Sequence, residues 1–136
     1  MNRLAVVLLA LGVLVLSSLA CTSAASMGEL KIDEPVVLEA HDEVNYAWNA
    51  IVTPGTEYTF SVASVRSGEG YYYGHIYILD EGTDLYDDEN LIAMGESFTP
   101  TVSFIAPKDG TVSIMISMVN WINTDIEVTL TQNDDN

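Results

Sequence analysis

Strict alternation of apolar and polar residues is the feature that most constrains the fold of this sequence. The clearest example is EYTFSVASV, where Tyr58, Phe60 and Val62 alternate with small or polar residues. Because successive side chains of a β-strand point to opposite faces, this pattern predicts a strand with one buried face and one solvated face. Helical periodicity is nearly absent after the first 20 residues, so the sequence predicts an all-β protein.

Comparable segments recur along the chain, and Gly, Pro and Asp residues separate them. The strongest turn signals are TPGTE and APKDG, because Pro fixes φ and Gly permits a positive φ. Short strands with one apolar face each indicate two packed sheets, so we predict an antiparallel β-sandwich, jelly-roll or immunoglobulin-like, of seven to eight strands within residues 30–132. The predicted strands lie near residues 36–40, 44–52, 57–65, 70–79, 90–95, 101–106, 111–119 and 124–132.

Residues 1–20 have the composition of a secretory signal peptide, which we expect to be a helix that is removed on export. An Arg near the start precedes an apolar run over residues 4–16, and small residues follow this run. The run is shorter than the roughly 20 residues that a membrane-spanning helix needs. The sequence therefore predicts an exported protein.

The sole cysteine, Cys21, directly follows this leader. Residues 16–21 (LSSLAC) resemble the lipobox of bacterial and archaeal lipoproteins, with Ser18 at the place where a leucine is usual. The resemblance implies that Cys21 is lipidated and anchors the protein at the cell surface or the periplasmic side of the membrane, with residues 21–29 as the anchor and a flexible tether. Ordinary secretion is the alternative, since Ser18 and Ala20 also fit the cleavage rule of a soluble signal peptide.

The chain is strongly acidic, with 20 Asp and Glu against 4 Lys and Arg and a formal net charge of -16. Such a chain repels the phosphates of nucleic acids and anionic lipid headgroups, so we expect no nucleic-acid partner and no direct lipid binding. Solubility and adaptation to a salty environment both account for the acidity. Carboxylates are therefore informative only where they cluster, and residues 133–136 are predicted to be a solvated tail.

Four segments resemble the bacterial pre-peptidase C-terminal domain, a small β-sandwich of secreted proteases and other extracytoplasmic proteins. They are NYAWNAIVTPGTEYTFSVAS, HIYILDEG, SFTPTVSFIAPKDGTVSIMIS and NTDIEVTLTQ. The resemblance covers about residues 38–131 and implies a β-sandwich that serves as a non-catalytic accessory module. Some members are associated with calcium through a DxDL pattern; Tyr73, Gly74 and His75 take those places here, and only Asp80 matches by position.

An acidic turn, DEGTDLYDDEN, follows the predicted strand at residues 70–79. Ca²⁺ binds six to eight oxygen ligands, so several carboxylates must converge from one loop. The spacing differs from that of an EF-hand, and a solvated acidic hairpin tip is the simpler interpretation. Ca²⁺ is the one cofactor that the sequence suggests, and its candidate ligands are Asp80, Glu81, Asp84, Asp87, Asp88 and Glu89.

Aromatic residues alternate along the strand that precedes this turn. If Ile76 and Ile78 face the core, the residues between them point to the opposite face, where a row of rings can stack on sugars. The alternative is that tyrosine is present because it favours strands and tolerates half-burial. Trp48 is expected in the core, whereas the candidate ligand-binding residues are Tyr71, Tyr73, His75, Tyr77 and Trp121.

The sequence contains no HExxH motif, no GxSxG motif and no phosphate-binding glycine loop, and its histidines are His41 and His75. We therefore expect a non-catalytic binding or accessory module that contacts a protein, a glycan or Ca²⁺, rather than an enzyme. A purely structural component of the cell envelope is the second interpretation. A secreted hydrolase or its accessory domain is the third.

Overall fold

The computed structural model describes residues 24–64, 74–80, 88–95, 100–118 and 124–134. Nine strands lie in these ranges, together with one 3-10 helix at Asp88–Asn90. None of the helical structure in these ranges has the length and apolar character that crossing a membrane requires. The strands are β1 (Ala25–Glu29), β2 (Val36–Ala40), β3 (Asn45–Ile51), β4 (Glu57–Ser64), β5 (Gly74–Asp80), β6 (Leu91–Gly95), β7 (Thr101–Ile105), β8 (Thr111–Met118) and β9 (Thr124–Gln132).

The strands form two sheets. The five-stranded sheet has the order β1-β3-β8-β5-β6, and the four-stranded sheet has the order β2-β9-β4-β7. Every described pair within these sheets is antiparallel except β1 with β3. The two sheets enclose one apolar core, so the predicted all-β sandwich is confirmed.

The alternation in the sequence matches the burial of the strands. Trp48 on β3 and Phe60 on β4 have ring centroids 6.3 Å apart, a contact that joins the two sheets. Among the described residues, no polar or charged side chain is buried. The methionines Met115 and Met118 are buried as well. The alternating apolar residues of β3, β4, β5, β7, β8 and β9, with Ala106 just after β7, are all buried: Tyr46, Trp48, Ala50, Tyr58, Phe60, Val62, Ile76, Ile78, Val102, Phe104, Ala106, Val112, Ile114, Ile116, Ile126, Val128 and Leu130.

Strand β1 differs from the sequence prediction, which placed a flexible tether at residues 21–29. Residues 25–29 instead pair in parallel with β3, with Ala25 opposite Tyr46 and an irregularity between Ser26 and Glu29. The next residue, Leu30, is buried in the core, and its amide donates to the carbonyl oxygen of Asn49 at 2.8 Å. Burial of Leu30 thus holds the preceding segment against the sheet edge, and the sandwich has one strand more than predicted.

Two predicted turns lie side by side at one end of the sandwich. Gly55 in TPGTE has a φ of 78° and Gly110 in APKDG has a φ of 74°, in the region that favours glycine. The amide of Val52 donates to the Gly110 carbonyl at 2.9 Å, and the amide of Gly55 donates to the Ala106 carbonyl at 3.0 Å. These bonds connect the β3–β4 turn to the β7–β8 turn.

Two tyrosines hold the turns that precede their own strands. The Tyr58 hydroxyl accepts a hydrogen bond from the Thr53 amide at 2.9 Å, five residues upstream. The Tyr46 hydroxyl accepts one from the His41 amide at the same distance and separation. Each arrangement resembles the tyrosine corner of Greek-key sandwiches, in which a buried ring carries its polar atom back to the chain. The alternation of the sequence predicts the buried ring of Tyr58, but not these hydrogen bonds.

Candidate binding face

Among the described residues, the outer face of the five-stranded sheet carries no charged side chain over four neighbouring strands. Cross-strand register defines this surface, which we call the uncharged face. None of the residues of this face is Asp, Glu, Lys or Arg. The carboxylate residue Glu29, on edge strand β1, lies opposite Asn49 and borders the face. Its residues are Asn45, Ala47, Asn49 and Ile51 of β3, Thr111, Ser113, Met115 and Ser117 of β8, His75, Tyr77 and Leu79 of β5, and Leu91 and Met94 of β6.

The outer face of the four-stranded sheet is different. Its described strands carry carboxylates at Glu39, Glu57, Asp125 and Glu127. Glu39 is the direct cross-strand neighbour of Asp125, so like charges stand side by side there. The remaining outward positions of β4, β7 and β9 are mainly Thr and Ser. Four of the six carboxylates in the described strands therefore lie on this face, and the other two, Glu29 and Asp80, stand at the ends of β1 and β5 in the five-stranded sheet.

Apolar side chains form the middle of the uncharged face. Ala47, Met115, Tyr77 and Met94 are successive cross-strand neighbours from β3 to β6. Met115 is 5% exposed although it points away from the core, whereas Met94 is 45% exposed. Nearby Leu79 is 3% exposed, and Ile51 at the end of β3 is 66% exposed. Shielded and accessible apolar residues thus occur together on this face.

His75 and Tyr77 project from β5 onto the same surface, as the alternation predicts. Both side chains are half-buried, and their rings lie with centroids 6.0 Å apart at an interplanar angle of 21°. The geometry places an imidazole and a phenol next to each other on the outer side of the sheet, where Met94 and Met115 flank Tyr77. Their predicted role in ligand binding remains a prediction. Tyr71, Tyr73 and Trp121, the other candidates of this kind, lie outside the described residues.

The acidic turn is described only at its two ends. Asp80 is half-buried at the end of β5, and Glu89 is exposed in the 3-10 helix, to which the Asp88 backbone also belongs. Glu81, Asp84 and Asp87 lie outside the described residues, as does Cys21. In the ranges that the structure describes, no group of three or more His, Cys, Asp and Glu side chains is placed to hold a metal ion. The calcium site therefore remains a prediction.

Sequence reasoning did not find the uncharged face, although part of its signal is visible in the sequence. The outward positions of β8 in TVSIMISM and of β3 in NYAWNAI are free of charge, which is uncommon in so acidic a chain. Alternation shows which residues share a face of one strand. It does not show that β3, β8, β5 and β6 are neighbours, and this order creates a continuous surface.

Comparison with known proteins supports the fold class. No protein-family model matches the chain, and no curated protein matches it in sequence. Several solved structures of small β-sandwiches do match in architecture. The pre-peptidase C-terminal domain of collagenase from Bacillus anthracis is 13% identical with a TM-score of 0.58, over 79% of this chain and 96% of that one. The resemblance inferred from the four sequence segments is thereby confirmed for the fold.

Two other solved structures share this architecture. PliG from Aeromonas hydrophila, a periplasmic inhibitor of g-type lysozyme, is 7% identical with a TM-score of 0.58, over 80% of this chain and 100% of that one. CorA of Methylomicrobium album BG8, a surface-associated copper-binding protein, is 9% identical with a TM-score of 0.52, over 82% of this chain and 100% of that one. At these identities the likeness establishes the fold alone.

Proposed function

We propose that this protein is an exported, non-catalytic binding or accessory module that is anchored to a membrane through lipid on Cys21 and contacts a macromolecular ligand through the uncharged face. The observation that carries the proposal is the exclusion of charge from this face in a chain with a net charge of -16. Exposed Ile51 and Met94 accompany a tyrosine and a histidine there. Depletion of charge with enrichment of aromatic residues and Met characterises the core of protein interfaces.

The structural neighbours support a binding role without identifying the ligand. One is named for the inhibition of a lysozyme, one for copper binding, and one is a domain of a larger collagenase. Each of these sandwiches is periplasmic, surface-associated or a collagenase domain by its own description. A sandwich of this size presents two broad sheet faces, and among the described residues only the uncharged face combines apolar residues with a lack of charge, since exposed Val37 and Ile105 on the other face pair with Glu127 and Glu57.

Site-specific photo-crosslinking in producing cells tests the binding face. A benzophenone amino acid at position 94 is compared with the same group at position 101, which lies outward on β7 of the other sheet. We expect one discrete crosslinked product from position 94, identified by mass spectrometry, and only diffuse background from position 101. Equal yields from the two positions, or no product from position 94, would contradict the proposed binding face.

The proposed anchor rests on the position of Cys21 directly after an apolar leader. Lipid chains would hold the protein at the membrane surface without a spanning helix. Mass spectrometry of the mature N-terminus tests this part independently: a diacylated or triacylated Cys21 is expected. An unmodified Cys21, or an N-terminus downstream of it, would refute the anchor and leave a secreted protein.

A glycan is the second candidate ligand, because the His75 and Tyr77 rings lie stacked together on the uncharged face. An aromatic ring can cover the C–H face of a sugar while its polar atom bonds outward. Glycan-array binding that is lost in His75→Ala/Tyr77→Ala, but kept in Ser103→Ala/Thr131→Ala on the other sheet, would support this ligand class. Absence of binding to every glycan would exclude it.

A further inference from the structure

We propose that the ligand of the uncharged face is a second copy of this chain, so that two sandwiches pair face to face through their five-stranded sheets. This inference rests on the proposed role of the uncharged face and specifies its partner. The symmetric dimer is the commonest oligomer of soluble proteins, and its interface is formed by the same patch on both subunits. A residue near the two-fold axis therefore meets itself.

The distribution of charge over the two sheet faces favours a second copy of the chain as the partner. In an isologous contact, a carboxylate near the two-fold axis would lie near the same carboxylate of the other copy, and like-charge juxtaposition costs several kcal/mol. A chain with a net charge of -16 is repelled least by its own copy where carboxylates are missing. The strands β3, β8, β5 and β6 provide such a surface. The outer face of the four-stranded sheet, with Glu39, Asp125 and Glu127, does not.

A cationic partner is expected to bind a surface that carries carboxylates, not one that lacks them. Charge complementarity favours carboxylates within or around the surface that such a partner contacts. These carboxylates lie on the other sheet, where Glu39 and Asp125 are direct neighbours and Glu127 follows on the same face. The accessible side chains of the uncharged face include Ile51 and Met94, which offer aliphatic contact rather than ion pairs or sugar stacking. The surface is therefore suited to another apolar, uncharged protein face.

The size of the face predicts a weak dimer. At about 4.8 Å between strands, four strands span about 19 Å, and at about 3.3 Å per residue a strand of the length of β3 extends about 23 Å. A sheet area of these dimensions is about 440 Å² per copy, and the accessible part is smaller because Met115 is 5% and Leu79 3% exposed; this is below the roughly 800 Å² that each partner contributes to a standard interface. We expect a dissociation constant above about 1 µM, because small interfaces leave little surplus over the entropy cost of association. Anchoring of both copies to one membrane would raise their effective concentration.

Analytical ultracentrifugation tests the self-association. The exported chain carries Cys21→Ser, so that no lipid or free thiol contributes, and is studied from about 1 µM to about 1 mM at low and high NaCl. We expect a monomer–dimer equilibrium that shifts toward dimer as salt rises, because salt screens the repulsion between two acidic copies. A monomer at every concentration and salt would overturn the inference. Association that weakens as salt rises would also overturn it.

Matched substitutions locate the contact. Met94→Glu places a carboxylate on the outward side of edge strand β6, and Thr101→Glu places one on the outward side of edge strand β7 of the other sheet. Both add the same charge, but only the first adds it to the proposed interface. We expect Met94→Glu to weaken dimerisation at least tenfold and Thr101→Glu to have less than about a threefold effect. Ile51→Glu, at a residue that is 66% exposed, serves as a second interface variant that leaves the core intact.

The outcomes separate this inference from the proposed function. If position 94 crosslinks to a different protein or the face binds a glycan while the chain stays monomeric, the second copy is refuted and the binding face stands. If Thr101→Glu and Met94→Glu weaken the dimer equally, the contact lies elsewhere and the self-pairing of this face is refuted. Crosslinks from position 94 to the chain itself, lost in Ile51→Glu, support the dimer.

Discussion

Removal of one buried hydroxyl tests how the turns of this sandwich are held. Tyr58 is completely buried, its ring lies 5.9 Å from that of Phe104, and its hydroxyl accepts the Thr53 amide proton at 2.9 Å. Tyr58→Phe keeps the ring and its packing but removes the acceptor. The Thr53 amide then loses the acceptor of a partly buried hydrogen bond.

The expected loss of stability follows from this burial. A neutral hydrogen bond contributes about 0.5–1.5 kcal/mol, and leaving a fully buried donor without a partner costs about 1–3 kcal/mol, so the lower part of that range applies to this partly buried donor. We therefore expect Tyr58→Phe to lower the free energy of unfolding by about 1–2 kcal/mol. For a domain of this size, about 4 °C per kcal/mol gives a fall in Tm of about 4–8 °C. Urea unfolding and a thermal melt measure both quantities, and the m-value should not change.

Two further variants serve as comparisons for the stability of Tyr58→Phe. Ser103→Ala removes a hydroxyl that shares a 2.8 Å hydrogen bond with Thr59 on the exposed face of the same sheet, so its effect should stay within about 0.5 kcal/mol. Tyr58→Ala also removes the ring and should cost about 3–5 kcal/mol. If Tyr58→Phe proves as mild as Ser103→Ala, the buried hydroxyl does not hold the turn and the reasoning fails.

Further predictions concern packing, cations and salt. A Cβ on Gly95 would lie 2.5 Å from Cγ2 of Val102, so Gly95→Ala should lower the free energy of unfolding in urea by about 1–3 kcal/mol. Val102→Ala in the same chain should recover part of that loss. If the stability losses of the two substitutions simply add, the steric explanation is contradicted. If the acidic turn binds Ca²⁺, about 1 mM Ca²⁺ should raise the Tm of the wild type but not of the triple variant Asp84→Ala/Asp87→Ala/Asp88→Ala, and equal responses would exclude the site. Because the net charge is -16, raising NaCl from about 0.02 M to about 0.5 M should raise the urea midpoint through screening, and a constant midpoint would show that self-repulsion is unimportant.

Local alternation was sufficient to predict most strands and their buried faces. Tyr58, Phe60 and Val62 are buried, and the two outward side chains His75 and Tyr77 lie where the period of two puts them. This success has a local cause, because the direction of each side chain in a strand depends only on its position along that strand. The turn glycines were predictable for the same reason, since a positive φ is a local requirement.

Strand β1 was not predictable in this way. Its residues, ASMGE, show no alternation and all are exposed in the fold. The segment is ordered by the parallel contact with β3 and by the burial of Leu30 next to it, both of which depend on a surface assembled from distant parts of the chain. A short exposed segment of this composition resembles a linker until its partner strand is known.

By itself, the sequence determined the all-β class, the inward residues of most strands, the turns at TPGTE and APKDG, and the acidity of the chain. Tertiary structure decided the order β1-β3-β8-β5-β6, the two tyrosine hydrogen bonds, and the collection of uncharged outward positions into one surface. The physical reason is the range of the interactions involved. Side-chain direction and turn conformation depend on neighbouring residues, whereas a sheet face is a property of strands that only folding brings together.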